Sequence, residues 1–188
     1  MQRSTLERLS SIPTTSIRGT FFRHASPDRD AFAGGDGGRW GADFPVIYLG
    51  RPPDSAVIEA YRHLVEKAGI RADLVQPRVF YTVDITVSHV IDLTSERNLL
   101  ASGLTRKDLS SEVDDYTSCQ EVAAAAHQLA RHAILAPASH GRGETLALFR
   151  ERLSSHELPV IRSQILWDTL PADPRKLRVV SLEETPGA

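Results

Sequence analysis

Cysteine, lysine and long apolar runs are all scarce in this chain of 188 residues. Cys119 is the single cysteine, so no internal disulfide can form, and a reducing compartment is the simplest expectation. No stretch approaches the roughly 20 consecutive apolar residues that a membrane-spanning helix needs. The polar residues after Met1 contain no apolar segment of the kind found in secretion signals. These absences predict a soluble protein of the cytoplasm that has no contact with a membrane.

The chain also lacks an excess of positive charge. Its 22 lysine and arginine residues are balanced by 24 aspartate and glutamate residues, which gives a formal net charge of −2 at pH 7. Proteins that bind nucleic acid generally carry a strongly basic surface, so we expect no direct nucleic-acid partner. Only Lys67, Lys107 and Lys176 are lysines. The more numerous arginines suit phosphate, because each planar guanidinium can donate two parallel hydrogen bonds.

The length and composition are those of one globular domain. Hydrophobic residues make up 41% of the chain and charged residues 24%, as in ordinary soluble proteins. A domain of this size buries roughly 70% of its unfolded surface and needs no disulfide or metal to hold its core. Residues 1–18 are polar and rich in serine and threonine. They are predicted to form an N-terminal arm, either a short helix or a loosely docked segment, ahead of a domain over residues 19–188.

Residues 54–67 are predicted to form a helix, because apolar side chains recur on one face at helical spacing. Asp54 or Ser55 is a good N-cap, and Gly69 is a suitable stop. Residues 95–109 have a weaker pattern and are expected to be irregular or weakly helical. Residues 34–38 include four glycines. They must form a loop, since glycine disfavours the interior of helices and strands.

A second helix is predicted over residues 117–132, which include four consecutive alanines. Its start fits a capping box, formed either by Thr117 with Gln120 or by Ser118 with Glu121. Capping alone would account for Thr117 and Ser118. A helix N-terminus is also a site that attracts anions, so a functional role stays open for both hydroxyl groups.

Short apolar runs rich in β-branched residues alternate with these helices and predict strands. Strands interleaved with helices indicate an α/β (α+β) fold, in which a single twisted mixed sheet is flanked by helices. The expected strands cover residues 45–49, 79–85, 90–93, 133–136, 146–149, 165–170 and 177–182.

Three groups of short motifs follow one another along the chain. Each combines polar or charged residues with an apolar run, and together they extend over most of the sequence. In chain order they are Phe22-Arg23-His24, Gly38-Arg39-Trp40 and Pro45-Val-Ile-Tyr-Leu49, then Ser55-Ala-Val-Ile-Glu59 with His63, then Asp115-Tyr-Thr-Ser-Cys-Gln120, Ile134-Leu-Ala-Pro-Ala-Ser139 and Leu146-Ala-Leu-Phe149.

In order and spacing these motifs resemble the RES domain, a family named for an arginine, a glutamate and a serine. The resemblance covers residues 20 to about 170, and its specificity lies in the ordered set because each motif is short. Known members are mostly toxins of bacterial toxin–antitoxin pairs. They consume NAD+ by transferring ADP-ribose to phosphate, to water or to a protein. The resemblance implies a fold similar to that of ADP-ribosylating toxins, NAD+ as substrate, inorganic phosphate as a candidate co-substrate, and a cognate antitoxin as partner.

The chemistry of NAD+ cleavage gives Arg39 and Glu59 the central roles in the implied active site. Breaking the nicotinamide–ribose bond passes through a state with oxocarbenium character, as glycoside cleavage does. Glu59 is ionised at neutral pH and could stabilise that cation. Arg39 and Arg23 could hold phosphate oxygens through charge-assisted hydrogen bonds. Tyr48 and Trp40 offer ring faces on which nicotinamide or adenine could stack.

A hydroxyl group is expected to bond ribose or phosphate, and two positions supply one. Ser139 ends the apolar run of the third group of motifs. In some relatives the hydroxyl comes from the start of the late helix, which points to Thr117. Both are candidate catalytic residues and neither is ranked above the other. Three further motif residues are candidate NAD+-binding residues: His24, Ser118 and Gln120.

Each of these candidates also has a purely structural interpretation. Arg39 suits a solvated loop, and Ser139 suits a turn. Glu59 lies opposite the apolar face of its predicted helix, so it faces either water or a cleft. Tyr48 would pack well in the core beside a strand. The functional assignments therefore depend on the ordered set of motifs.

Two departures from the family pattern keep other functions open. Many members carry Asn-Pro after the Arg-Trp pair, whereas this chain has Gly41-Ala42-Asp43 there. Many members also carry an arginine two residues after the serine, whereas this chain has Gly141 at that position. The leading hypothesis is a toxin-like enzyme that cleaves NAD+ by phosphorolysis or hydrolysis. The alternatives are a protein ADP-ribosyltransferase and a non-catalytic NAD-binding module of the same fold.

No cofactor beyond the substrate NAD+ is expected. The histidines lack a metal-ligand spacing such as HExxH, and Cys119 is alone, so no metal is proposed. The oligomeric state is left open, and a homo-oligomer is compatible with the sequence.

Overall fold

A six-stranded mixed sheet organises the protein. The computed structural model describes residues 4–35, 37–41, 43–110 and 115–176. The strands are β1 (Thr14–Ala25), β2 (Val46–Arg51), β3 (Arg78–Asp92), β4 (Ala133–Pro137), β5 (Glu144–Phe149) and β6 (Val160–Trp167). The α-helices are α1 (Thr5–Ser10), α2 (Asp54–Ala60), α3 (Glu96–Ser102), α4 (Arg106–Ser110) and α5 (Thr117–Gln128). A π-helix follows α2 at Tyr61–Lys67, and single 3₁₀ turns lie at Ala72–Leu74, Arg150–Arg152 and Ser155–Glu157.

The sheet curls back on itself. Its strand order is β1-β2-β5-β4-β3-β6, and β1 also pairs with β3. Pairing is antiparallel everywhere except between β3 and β4. The long strand β3 pairs with β1 along one edge, while its other edge pairs with β6 near its start and with β4 near its end. The expected α/β fold with one mixed sheet and flanking helices is therefore confirmed, and the closure between β1 and β3 adds a barrel-like shape.

The central strands are buried on both faces, because side chains alternate between two apolar clusters. Along β2, Val46 belongs to the cluster under the helices, and Ile47 and Leu49 belong to the cluster inside the curved sheet. Leu148 and Phe149 on β5 divide in the same way. Continuous apolar runs are typical of such doubly buried strands. This is why the predictions over residues 45–49, 133–136 and 146–149 are confirmed with small changes at their ends.

Two of the predicted strands are one element. The expected segments 79–85 and 90–93 join in β3, which runs from Arg78 to Asp92. The polar residues between the two apolar runs suggested a break, but their backbone continues the pairing with β1, as the partners Val87 and Ile17 show. Strand β1 itself has no counterpart among the predicted strands. Most of its residues are only partly buried, so it lacks the apolar run by which the other strands were recognised.

The predicted helix over residues 54–67 is confirmed as a helical segment, but its geometry changes part of the way along. It is an α-helix to Ala60 and a π-helix from Tyr61 to Lys67. Gly69 follows with φ +69, which fits its predicted role as a stop. The predicted side-chain N-cap is wrong: Pro53 occupies the cap position, and no side chain accepts a hydrogen bond there.

Helix α5 begins at Thr117 as predicted but ends at Gln128 instead of residue 132. Ala130 has φ +51, a left-handed conformation that cannot continue a helix. Both predicted capping boxes are wrong, because Tyr116 is the cap residue and makes no side-chain cap bond. The backbone N–H of Thr117 donates instead to Asp115 Oδ1 at 3.1 Å.

The remaining predictions fall at the two ends of the chain and between β3 and α5. The segment 95–109 is helical, as α3 and α4 on either side of Gly103 with φ +91. Residues 1–18 were expected to form either a short helix or a loosely docked segment. The structure has the helix α1, which is capped by Ser4 and followed by β1 from Thr14. The division into an arm and a domain stays a prediction. The strand expected at 165–170 is β6, shifted to Val160–Trp167, and residues 177–182 lie outside the described residues. None of the described helices is long and apolar enough to cross a membrane.

Candidate active site

A cleft of about 800 Å³ lies between the Gly-rich loop, β1 and β2, the α2/π-helix segment and the loop after β4. Ligand sites of small molecules and cofactors commonly have this size. Charged side chains dominate its polar wall. The charged residues that line it are Arg23, Arg39, Arg62, Lys67 and Arg78, together with Glu59 and Glu66. Among the described residues of this cleft, five cations therefore face two carboxylates, which favours an anionic ligand.

Glu59 lies in the last turn of α2, directly before the helix widens into the π-helix. Its side chain is 32% exposed, and the exposed part lines the cleft. The sequence allowed Glu59 to face either water or a cleft, and in the structure it faces the cleft. His63 Nε2 lies 3.2 Å from Glu59 Oε2, and Arg62 Nη1 lies 3.5 Å from Oε1. Burial by itself would raise the pKa of Glu59, but the hydrogen bond from His63 and the charge of Arg62 outweigh it and lower the pKa. The carboxyl is accordingly ionised at neutral pH.

Ser139 reaches the same corner of the cleft from the loop after β4. Its Oγ accepts a short hydrogen bond from Arg62 Nη1, so one guanidinium joins Ser139 to Glu59. His140 also lines the cleft, and both of its ring nitrogens are buried without a hydrogen-bond partner among the described residues. Burial lowers the pKa of His140, against the attraction of the Glu59 carboxylate.

Tyr48 fastens the Gly-rich loop to the sheet. Its hydroxyl donates to the carbonyl oxygen of Gly37 at 3.0 Å and accepts from the backbone N–H of Trp40 at 2.9 Å. Burial raises the pKa of Tyr48, so the hydroxyl keeps its proton and can donate. Gln120 Nε2 donates to the Gly38 carbonyl oxygen at 3.0 Å and fixes the loop from the side of α5.

Arg39 follows this loop and points along one wall of the cleft. Its Nη1 donates to the carbonyl oxygen of Asp108 at 2.5 Å, and its guanidinium lies 4.6 Å from the centre of the Tyr116 ring. The cation–π contact and the hydrogen bond together fix the orientation of the guanidinium. Trp40, the next residue, is 2% exposed and packs in the core. Its ring belongs to an apolar core cluster and has no open face on which a base could stack.

Arg23 and His24 approach the cleft from β1. Arg23 Nη1 donates to the Tyr48 carbonyl oxygen at 3.0 Å, while its Nε is buried without a partner among the residues described here. Arg78 Nε lies 3.3 Å from His24 Nδ1 and donates to it. Burial, followed by the charges of Arg78 and Arg23, lowers the pKa of His24 from 6.5 to about 3. His24 is therefore neutral at physiological pH, and Arg23 and Arg78 supply the positive charge.

The structure places seven of the ten predicted site residues in the lining of the cleft and three outside it. Thr117 and Ser118 are exposed at the start of α5 and do not line the cleft. Gln120 acts on the loop from outside the lining. Of the two hydroxyl positions that the sequence left open, Ser139 is the one that contacts a neighbour of Glu59. The predicted residues that line the cleft are Arg23, His24, Arg39, Trp40, Tyr48, Glu59 and Ser139.

Four residues of the site were not singled out from the sequence: Arg62, Arg78, Tyr116 and His140. Arg62 lies three residues after Glu59, and that helical spacing was a usable signal. His140 and Tyr116 are inside or beside the motifs. Arg78 had no signal, because only the pairing of β1 with β3 brings it beside His24.

The chain has clear relatives of known class. A model of the RES domain family matches residues 14–179, a span that includes all residues lining the cleft. The protein named NAD(+) phosphorylase MbcT of Mycobacterium tuberculosis is 29% identical over 173 residues, which cover 88% of this chain and 91% of that protein. A protein of the same species named a probable NAD(+) phosphorylase is 33% identical over 159 residues, which cover 80% of this chain and 74% of that protein.

A solved structure has the same overall fold. It is the crystal structure of the M. tuberculosis MbcT–MbcA toxin–antitoxin complex, and one of its chains aligns with a TM-score of 0.75 at 27% sequence identity. The alignment covers 88% of this chain and 93% of that chain. The fold is therefore shared over most of the length of both chains.

Proposed function

This chain belongs to the RES domain family, and we propose that it cleaves the nicotinamide–ribose bond of NAD+ by phosphorolysis. Two relatives carry the name NAD(+) phosphorylase, in one case as probable. The observation that carries the proposal is the position of Glu59. Its ionised carboxylate lies in a cleft whose described charged residues are otherwise mostly cations. A substrate with negative phosphates and a positive reacting centre matches this distribution of charge.

The residues divide by the part of the substrate that each suits. Glu59 faces the ribose carbon on which positive charge develops, and it stabilises that charge electrostatically. Arg23 and Arg39 are the donors for the pyrophosphate, because both present guanidinium groups held by neighbouring backbone carbonyls. Tyr48 shapes the wall beside the Gly-rich loop. Ser139 supplies the hydroxyl that is expected near the sugar.

The reaction balances without any further reactant. The bond between the ribose C1 atom and the nicotinamide nitrogen breaks, and its electron pair stays on that nitrogen, so the pyridinium ring becomes neutral. A phosphate oxygen then bonds to C1, which gives ADP-ribose 1-phosphate and free nicotinamide. As written, the step uses only NAD+ and inorganic phosphate. Among the residues that the structure describes, no group of three or more histidine, cysteine, aspartate or glutamate side chains could hold a metal.

The decisive test is NAD+ consumption by purified protein with and without inorganic phosphate, with the products identified by mass. We expect phosphate-dependent loss of NAD+ and a decrease of about 10²–10³-fold in kcat for Glu59→Gln. Glu66→Gln is the matched control, because Glu66 lines the same cleft but pairs with Arg175.

Each other result points to a named alternative. Loss of NAD+ without phosphate indicates hydrolysis. Loss only after addition of an acceptor protein indicates ADP-ribosyl transfer. Binding of NAD+ without loss under all conditions indicates a non-catalytic module and contradicts the proposal.

A partner protein belongs to the same proposal. The solved relative is a toxin in complex with its antitoxin, and uncontrolled loss of NAD+ would harm the cell that makes the enzyme. We therefore propose that a cognate antitoxin restrains this chain in the cytoplasm, where NAD+ is its substrate. Expression of the wild-type chain alone should arrest growth, and expression of Glu59→Gln should not. Equal growth with both chains, at equal protein levels, would contradict a toxin role. The sequence leaves the oligomeric state open, and a homo-oligomer is compatible with it.

A further inference from the structure

The cleft contains two separate groups of hydrogen-bond donors. Arg23 and Arg39 contact backbone carbonyl oxygens, of Tyr48 and Asp108 respectively. Arg62 and His63 contact the carboxylate of Glu59 itself, at 3.5 Å and 3.2 Å. The two groups are thus held by different parts of the fold. The two groups are suited to different anions. One anion is the pyrophosphate of NAD+, and the other is the incoming acceptor.

The position of the acceptor follows from the chemistry of the proposed function. The acceptor oxygen bonds to the ribose carbon whose positive charge Glu59 stabilises. It must therefore bind within a few ångströms of Glu59, beside the side chains that contact this carboxylate. Arg23 and Arg39 donate to the carbonyl oxygens of Tyr48 and Asp108. They suit the pyrophosphate instead, because the pyrophosphate is remote from the reacting carbon.

On the basis of the proposed function, we propose that Arg62, His63 and His140 form the acceptor subsite and bind inorganic phosphate beside Glu59. Arg62 uses Nη1 for both of its hydrogen bonds among the described residues, to Glu59 and to Ser139. Its Nη2 remains able to donate to an oxyanion. A guanidinium is well suited to this because its two edges can serve two ligands at once.

The buried ring of His140 is a second observation that favours a phosphate at this position. Both of its ring nitrogens are buried, and neither has a hydrogen-bond partner among the described residues. Buried polar groups are nearly always hydrogen-bonded, so such a ring needs an explanation. A phosphate oxygen next to Arg62 would accept a hydrogen bond from His140. The adjacent Ser139 hydroxyl, already bonded to Arg62, would lie at the same anion.

Glu59, Arg62 and His63 lie on one helical segment whose geometry changes after Ala60. Arg62 and His63 follow Glu59 by three and four residues, and the helix changes from α to π at Tyr61. π-turns are rare and occur frequently at functional sites. Here the wider turn begins between the carboxylate and the two side chains that contact it. Acceptor-binding residues and Glu59 are therefore carried by one continuous segment.

The test compares the dependence on phosphate with the dependence on NAD+. In steady-state kinetics we expect Arg62→Gln and His140→Asn each to raise the KM for inorganic phosphate about 10- to 100-fold. The KM for NAD+ should change much less, by no more than about threefold, because neither side chain is assigned a direct contact with NAD+. Arg142→Gln is the matched control, since Arg142 is an exposed arginine of the same loop that does not line the cleft.

A binding measurement keeps the inference separate from turnover. Inorganic phosphate is titrated calorimetrically into wild-type protein and into both variants, in the presence of a non-cleavable NAD+ analogue and after thermal melts confirm folding. Weaker phosphate binding by the variants supports the subsite even where turnover is slow. If both variants bind phosphate as the wild type does, or if wild-type protein binds none, the subsite is wrong. Wild-type protein that binds phosphate but never consumes NAD+ would instead contradict the proposed function.

Discussion

The hydroxyl of Tyr48 lies between the carbonyl oxygen of Gly37, at 3.0 Å, and the backbone N–H of Trp40, at 2.9 Å. One side chain of β2 thus fixes the backbone on both sides of Arg39, while the Asp108 carbonyl oxygen and the Tyr116 ring fix its guanidinium. The proposed anion-binding role of Arg39 therefore depends on a residue that the sequence suggested for stacking.

Replacing Tyr48 with phenylalanine keeps the ring and removes only this hydroxyl. The Trp40 N–H then loses its acceptor inside the protein, and we expect the free energy of unfolding to fall by about 1–3 kcal/mol. The KM for NAD+ should rise because Tyr48 no longer holds the backbone on both sides of Arg39. Urea denaturation and steady-state kinetics measure the two effects. Tyr81→Phe is the control, since Tyr81 is a buried tyrosine of β3 outside the cleft. Equal effects of both substitutions would show that loss of a tyrosine hydroxyl in general, and not of the link to the loop, is responsible.

Gly38 is required at its position for two reasons that can be separated. Its φ is +79, and a Cβ there would lie 2.8 Å from the Tyr48 hydroxyl. Gly69 has φ +69, and a Cβ added to it would meet nothing within 4 Å. Both alanine variants carry the left-handed strain of about 1 kcal/mol, and Gly38→Ala should lose about 1–3 kcal/mol more from the clash. Chemical denaturation measures both. Equal losses would mean that the loop yields to the added methyl group.

Arg23 offers a test of the pyrophosphate assignment. Its Nε is buried without a partner among the described residues, and its Nη1 holds the Tyr48 carbonyl. Removing a charge-assisted hydrogen bond to a ligand costs about 1.5–3 kcal/mol, so Arg23→Gln should raise the KM for NAD+ about 10- to 100-fold. Arg18→Gln is the control, because Arg18 is exposed on the same strand and does not line the cleft. An unchanged KM for NAD+ in Arg23→Gln would remove Arg23 from the substrate-binding residues.

His24 should make the protein sensitive to acid. Its pKa falls from 6.5 to about 3 on folding, chiefly because of burial. Between these values the unfolded chain binds a proton that the folded protein does not bind. The contribution of His24 to stability is therefore complete above pH 6.5 and is lost as the pH falls. For one such group the loss between about pH 7.5 and pH 5 is about 2 kcal/mol. His24→Gln cannot take up this proton, so its free energy of unfolding should fall less over that range. Parallel losses in the variant and the wild type would contradict the assignment.

Much of the fold could be predicted from local pattern, and the failures have physical causes. The doubly buried strands β2, β4 and β5 were found because burial on both faces leaves an uninterrupted apolar run. The join between the two halves of β3 was missed, because its middle residues are polar and are held by pairing with β1. The side-chain caps of α2 and α5 were wrong, because Pro53 and Tyr116 occupy the cap positions.

The candidate site divides in the same way. Arg39, Glu59, Tyr48 and Ser139 were identified from the order of the motifs, and the structure places all four around one cleft. The exposed position of Thr117 and the burial of Trp40 could not be read from that order, since neighbouring residues of a motif can point to opposite sides of the chain.

By itself the sequence determined the fold class, the family and the residue types of the chemistry, because these follow from periodicity and from motifs that are contiguous in the chain. Only the tertiary structure decided that Glu59 faces the cleft, that Tyr48 holds the Gly-rich loop, and that Arg62 joins Glu59 to Ser139. Arg62 and Ser139 are 77 residues apart in the chain. Contacts over such separations arise from the pairing of strands and the closure of the sheet, and no local pattern specifies them.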